Sequence, residues 1–157
     1  MDHHQPTDNA EVLAPAPVFF GVAVAVGLLL EWLLPTSLFT FSYSASVGFF
    51  LIAASVVLVV FAALPLKRAR TAFDARRPTT SIVTTGAFCL SRNPTYVSLA
   101  VLQVGLGLLS QSLWVIVTAV AAVAITHWGV VLREERYLER KFGQEYRSYA
   151  ARVRRWL

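Results

Sequence analysis

The stretch "TYVSLAVLQVGLGLLSQSLWVIVTAVAAVAITHWGVVL", Thr95 to Leu132, decides the fold. Two apolar runs, Thr95 to Leu109 and Leu113 to Leu132, are parted only by Ser110, Gln111 and Ser112. A polar turn that short joins antiparallel helices into a hairpin. The second run is long enough to cross a hydrocarbon core of roughly 30 Å at a rise of about 1.5 Å per residue. The first is short for a span, and its attachment to the second is what makes it one. Upstream lie two further apolar runs, Val18 to Leu34 and Tyr43 to Leu64.

Composition agrees with this reading. Of 157 residues, 56% are hydrophobic and 15% charged, and the mean hydropathy of +0.58 lies above that of an ordinary soluble domain. The expected fold is an all-α integral membrane protein with about four transmembrane helices in a single domain. The spans lie near 18–34, 43–64, 95–109 and 113–132, after a disordered leader, 1–17, and before an amphipathic cytoplasmic tail, 133–157. There is no internal repeat, no low-complexity tract and no room for a separate soluble domain.

The charges orient the spans. All 14 Lys and Arg residues fall between Lys67 and Arg92 or between Arg133 and Arg155, and the connections Pro35–Ser42 and Ser110–Ser112 carry none. Four spans put both basic regions on one side, which the positive-inside bias assigns to the cytoplasm together with both termini. The leader has Asp2, Asp8 and Glu11 but no basic residue, so it lacks the n-region of a signal peptide. The net charge of +5 belongs to span-flanking residues. It suits anionic headgroups of a lipid bilayer, and nucleic acid is not an expected partner. The single cysteine, Cys89, excludes an intramolecular disulfide.

The first two spans read as scaffold. Glu31 beside Trp32 is an interfacial residue, and Ala23, Ala25, Gly27, Gly48, Ala53 and Ala54 suit close helix packing in lipid, as does Gly105-Leu106-Gly107 in the third span. The chemically unusual residues come later. In "RRPTTSIVTTGAFCLSRNPTY", Arg76 to Tyr96, the arginine pair is expected to snorkel or meet phosphates, and Pro78 and Gly86 punctuate a hydroxyl-rich loop. Pro94 suits the first turn of the following helix. Asn93 then either simply caps that helix, or it forms with Arg92 and the helix N-terminus a polar recognition point at the interface.

Farther on, His127 lies inside the last span and Glu134 seven residues beyond it, which on an α-helix puts both on nearly one face. Ionisable groups in spans are costly and usually face a bundle interior or cavity. The bland readings are a hydrogen bond for His127 and a solvated face for Glu134 and Glu135 with Arg133 and Arg136. Taken together they suggest a pocket facing Asn93, because the hairpin brings the start of span three beside the end of span four. In the tail, Leu138, Phe142, Tyr146, Tyr149, Val153 and Trp156 form an apolar stripe between basic residues, broken near Gly143. This helix either lies on the membrane surface or folds back to cap the pocket.

The ordered combination of "IVTTGAF", "SRNPTY", a helical hairpin and "EERYLERKFGQEYRSYAARVRRWL" resembles the isoprenylcysteine carboxyl methyltransferase and phospholipid methyltransferase family of integral membrane enzymes, over roughly Thr79 to Leu157. The resemblance implies methyl transfer from S-adenosyl-L-methionine to a lipophilic acceptor, the cofactor entering from the cytoplasm and the acceptor from the bilayer. It implies cofactor binding by Thr80, Ser81, Ile82, Val83, Phe88, by the motif Arg92, Asn93, Pro94, Thr95 and Tyr96, and by the pair Glu134 and Glu135, the first glutamate above all. No metal is expected. His127 is the candidate base or hydrogen-bond partner for the acceptor.

The departures concern the acceptor. Gly86-Ala87-Phe88-Cys89-Leu90 stands where many relatives read Gly-Pro-Phe/Tyr-Arg-Tyr. Val130 stands where the prenylcysteine enzymes have an arginine, and Val130→Arg is expected to leave cofactor binding largely intact. The alternatives on the same scaffold are a non-catalytic membrane accessory protein and a membrane reductase.

Overall fold

A computed structural model of the chain describes residues 9–36, 43–71 and 78–157. Arg76 and Arg77, with the first eight residues and much of the connection between the first two spans, lie outside the described residues. The described residues are helical and contain no strand.

Helix α1 runs Ala16–Leu33, after Pro15 at its N-cap and with Pro17 in its first turn, where a missing N–H leaves no bond unmade. Helix α2 runs Ser44–Arg68, four residues past the expected end at Leu64, and closes on Lys67 and Arg68, which suit the negative end of its dipole. Helix α3 spans Pro94–Leu109. After the turn, in which Gln111 takes a φ of 52°, α4 spans Leu113–Thr126, its N-cap Ser112 accepting from the Val115 N–H at 3.3 Å. It continues through a π-helical turn, His127–Val131, into α5, Leu132–Phe142. Gly143, with φ +52°, then turns the chain into α6, Gln144–Ala150.

Among the described residues, three helices are long and apolar enough to cross a membrane: Ala16–Leu33, Ser44–Arg68 and the continuous Leu113–Phe142. Helix α3, at 16 residues, is shorter. The helices lie in a row, α1 against α4, α4 against α3, and α3 against α2, so the first two helices flank the hairpin on opposite sides.

Glycines set these approaches. A Cβ on Gly27 would lie 2.7 Å from Val115 Cα, and one on Gly48 2.9 Å from the Gly105 carbonyl oxygen. Backbones that close maximise dispersion contact where lipid removes the hydrophobic drive between helices. The small residues Ala25 and Ala53 do not join them; both are exposed on outer faces. Those faces also expose Val22, Leu29, Phe50, Val57 and Phe61, as lipid-facing surfaces would.

Residues 9–15, expected as part of a disordered leader, pack on the π turn and the start of α5. Ala10 is buried, the Glu11 carbonyl accepts from Arg133 Nη1 at 2.9 Å, and a Cβ on Gly129 would lie 3.3 Å from the Leu13 side chain.

Candidate active site

Five stretches of chain meet at the basic end of the row. The loop 79–83 leaves α2 and is tied down at two points: the Thr79 N–H donates to Tyr137 Oη at 3.2 Å, and the Thr80 N–H donates to Thr71 Oγ1 at 3.0 Å. A 3-10 turn, Gly86–Cys89, comes next; its first residue has φ +64°, and a Cβ there would lie 2.7 Å from the Pro65 ring, so glycine is required on both counts. The start of α3, one face of α5, and α6 complete the set. Between them is a cavity of about 140 Å³.

Of the residues expected to bind cofactor, Ser81, Ile82, Val83, Phe88, Arg92, Asn93, Pro94, Thr95, Tyr96, Glu134 and Glu135 line this cavity. Thr80 does not; its hydroxyl donates to the Arg70 carbonyl at 3.3 Å. Leu66, Thr79, Leu138, Tyr146 and Tyr149 line it as well. Leu138, Tyr146 and Tyr149 belong to the apolar stripe of the tail, so their spacing carried the signal. Leu66 is one leucine of an apolar helix and carried none.

Residues far apart in sequence are bonded here. Tyr96 Oη donates to Glu134 Oε2 at 2.8 Å, joining α3 to α5. Arg92 Nη1 lies 3.0 Å from Glu135 Oε1 and donates to Tyr146 Oη at 3.3 Å. The two neighbouring glutamates therefore do different work, Glu135 as an ion-pair anchor and Glu134 as an acceptor on the cavity wall.

Asn93 occupies the N-cap of α3, and its carbonyl accepts from the N–H groups of Tyr96 and Val97. Its side chain makes no capping bond. The amide nitrogen instead donates to the Arg155 carbonyl at 2.9 Å, so the tail folds back over the helix start.

Tyr149 Oη donates to the Phe88 carbonyl at 2.8 Å, fixing α6 to the 3-10 turn. Burial pushes the Tyr149 phenol well above its ordinary value of 10.0. Burial, with help from the Glu135 charge, raises Tyr146 too. Both hold their protons; Tyr149 uses its own in donating to Phe88, whereas Tyr146 Oη accepts from Arg92.

Two lining residues keep buried polar atoms without a hydrogen-bond partner among the described residues, Ser81 Oγ and Arg92 Nε. Such groups are rare in folded proteins and point to something that completes them. The lining thus combines a carboxylate, aromatic side chains and unsatisfied donors with the apolar Leu66, Ile82, Val83 and Leu138.

His127 stands apart from this cavity. The π turn His127–Val131 inserts one extra residue into the helical register, rotating α5 by about 100° relative to α4. The shared face expected of His127 and Glu134 is lost for that reason. The imidazole packs instead against Trp128, with ring centroids 5.5 Å apart, and Trp156, at 6.0 Å. Val130 is 1% exposed inside the same turn and does not line the cavity. An arginine there would displace packed protein, which reverses the expectation for Val130→Arg.

Comparison with known proteins returned a family described as PEMT, phospholipid methyltransferase, matching residues 43–145. An uncharacterized protein of Haemophilus influenzae is 67% identical over 27 residues, which are 17% of this chain and 43% of that relative. The match therefore spans less than half of the relative's length. No solved structure matches the chain.

Proposed function

Because the chain belongs to the phospholipid methyltransferase family, we propose that it transfers a methyl group from S-adenosyl-L-methionine to a lipophilic acceptor held in the bilayer. The reaction takes place at the cavity between α3, α5 and α6. The observation that carries this reading is the Tyr96–Glu134 hydrogen bond of 2.8 Å on the cavity wall, beside the unsatisfied Ser81 Oγ and Arg92 Nε.

The lining fits the cofactor's chemistry. A carboxylate and a tyrosine ring favour a sulfonium or ammonium centre, and the orphaned donors suit polar oxygen or nitrogen atoms of a ligand. Glu134 and Tyr96 would hold the cationic region, Ser81, Ile82, Val83 and Phe88 would flank the rest, and Asn93 and Arg92 shape the wall by the helix start. When bound, S-adenosyl-L-methionine would supply an electrophilic methyl carbon carried on a positively charged sulfur. The protein's own contribution is to align the two reactants and exclude water. His127, away from the cavity, has no part in this scheme. The positive-inside bias puts the cavity and both termini at the cytoplasmic face.

The test is transfer of label from methyl-labelled S-adenosyl-L-methionine into a bacterial lipid extract by purified protein in lipid nanodiscs. Label that enters the organic phase with the wild type and is lost with Glu134→Gln is the expected result. Absence of label in any lipid fraction, from protein that binds the cofactor, would remove transfer to a bilayer acceptor.

A further inference from the structure

The chain's last residues run back along the cavity wall. From the end of α6, the backbone reaches Ser91–Asn93, where the Arg92 N–H donates to the Arg154 carbonyl at 2.9 Å. The Arg155 carbonyl then accepts twice, from Ser91 Oγ at 3.3 Å and from Asn93 Nδ2 at 2.9 Å. The Arg155 guanidinium forks onto Glu135, with Nε to Oε1 at 2.9 Å and Nη2 to Oε2 at 2.8 Å. Next in the chain, Trp156 rests on His127. One short segment therefore fastens three elements: the turn before α3, helix α5 and the π turn.

The fork matters because of the part Glu135 plays. Its carboxylate is mostly buried, at 15% exposure, and also holds Arg92, itself 15% exposed. Bidentate arginine–carboxylate pairs are the geometrically specific kind, and a lysine cannot reproduce the two parallel bonds. Arg155, 37% exposed, does not line the cavity, whereas Arg92, Asn93 and Glu135 do. The same segment takes the Asn93 amide away from the role its position would otherwise give it, as a side-chain cap on α3. With the segment detached, Asn93 can cap its own helix and Glu135 keeps Arg92 but loses the fork, so the wall changes shape.

We infer that Arg155 is a positioning residue: through its fork on Glu135 and its carbonyl on Asn93 it fixes the wall formed by Arg92, Asn93 and Glu135 in ligand-binding geometry. The identity of the ligand rests on the methyltransferase reading; the mechanical part does not.

The experiment uses the full chain in lipid nanodiscs with wild type, Arg155→Ala, Arg155→Lys, Glu135→Gln and the Arg155→Ala/Glu135→Gln double variant. Two quantities are read: affinity for S-adenosylhomocysteine by calorimetry, and amide hydrogen exchange of residues 91–97. Arg155→Ala is expected to weaken binding about tenfold and to speed exchange at Arg92 by a similar factor. Arg155→Lys, which keeps the charge without the fork, is expected to weaken binding about threefold at an unchanged melting temperature, and it carries the test if the alanine variant does not fold. The double variant should bind no worse than the weaker single variant. Fully additive losses, or wild-type affinity and exchange in Arg155→Lys and Arg155→Ala, would overturn the inference. If the wild type binds no S-adenosylhomocysteine, the methyltransferase reading falls, and the exchange at residues 91–97 alone decides on Arg155.

Discussion

Each end of the helical row gathers hydroxyls and N–H groups around glutamate, and the two ends do so to opposite effect. At one end, Glu31 accepts from the Thr36 N–H at 2.6 Å, from Thr36 Oγ1 at 2.7 Å and from Ser112 Oγ at 2.8 Å. Trp114 Nε1 donates to the Leu34 carbonyl alongside, so the carboxylate is consumed in tying the end of α1 to the hairpin turn. At the other end, Glu135 is consumed in the same way by Arg92 and Arg155, but Glu134 faces a cavity next to orphaned donors. A carboxylate at the end of an apolar helix is thus framework when its neighbours use it up. It marks a site when space and unsatisfied polar atoms lie beside it.

The largest expected effect tests where framework stops. Val130→Arg puts an unpaired charge at a position 1% exposed in the π turn, at a cost of about 3 kcal/mol or more. Loss of monodisperse protein and a lowered melting temperature in detergent are the expected outcomes. A variant that folds and melts like the wild type would show that Val130 faces open space and is not part of the packed framework. Next in size, Tyr96→Phe removes a hydrogen bond to a carboxylate, worth about 1.5 kcal/mol, and should lower melting modestly and weaken cofactor binding about tenfold. A change in melting with unaltered affinity would place the Tyr96–Glu134 bond with the framework.

Smaller still is the effect of Tyr149→Phe, about 1 kcal/mol for the lost bond to Phe88. Its pH dependence has a definite sign. The native phenol's value is raised above 10.0, so its contribution is complete below pH 10 and is lost as pH rises towards the native value. Melting of the wild type should fall above pH 10, and the phenylalanine variant should fall less steeply; parallel curves would contradict the burial of this hydroxyl. Arg147→Ala should do least. Its 3.5 Å pair with Glu139 has both side chains about half exposed, and a change in melting beyond about 0.5 kcal/mol would show that the outer face of α6 contributes more than a solvated surface.

Much of this was legible in the sequence because it depended on local rules. The three-residue polar turn fixed the hairpin, and with it the approach of Tyr96 to Glu134. The tail's stripe and Gly143 marked two helices at the right place. The π turn was not legible, since nothing in "HWGVV" distinguishes it from an α-helical turn, and the seven-residue spacing of His127 and Glu134 misled for that reason. Nor was the order of the row legible. Glycines announce that a helix is approached closely without saying by which neighbour, and Gly27 turned out to meet Val115. The fold-back of Arg154 and Arg155 relies on main-chain carbonyls, which carry no residue signature.

The contrast between the two ends is tested most directly by calorimetric titration of the nanodisc-embedded protein with S-adenosyl-L-methionine for the wild type, Glu134→Gln and Glu31→Gln. Saturable binding by the wild type is predicted, with an affinity lowered about tenfold to a hundredfold in Glu134→Gln and unchanged in Glu31→Gln despite a lower melting temperature. Equal affinities in all three proteins, or a loss confined to Glu31→Gln, would contradict the assignment of Glu134 to the site and Glu31 to the framework.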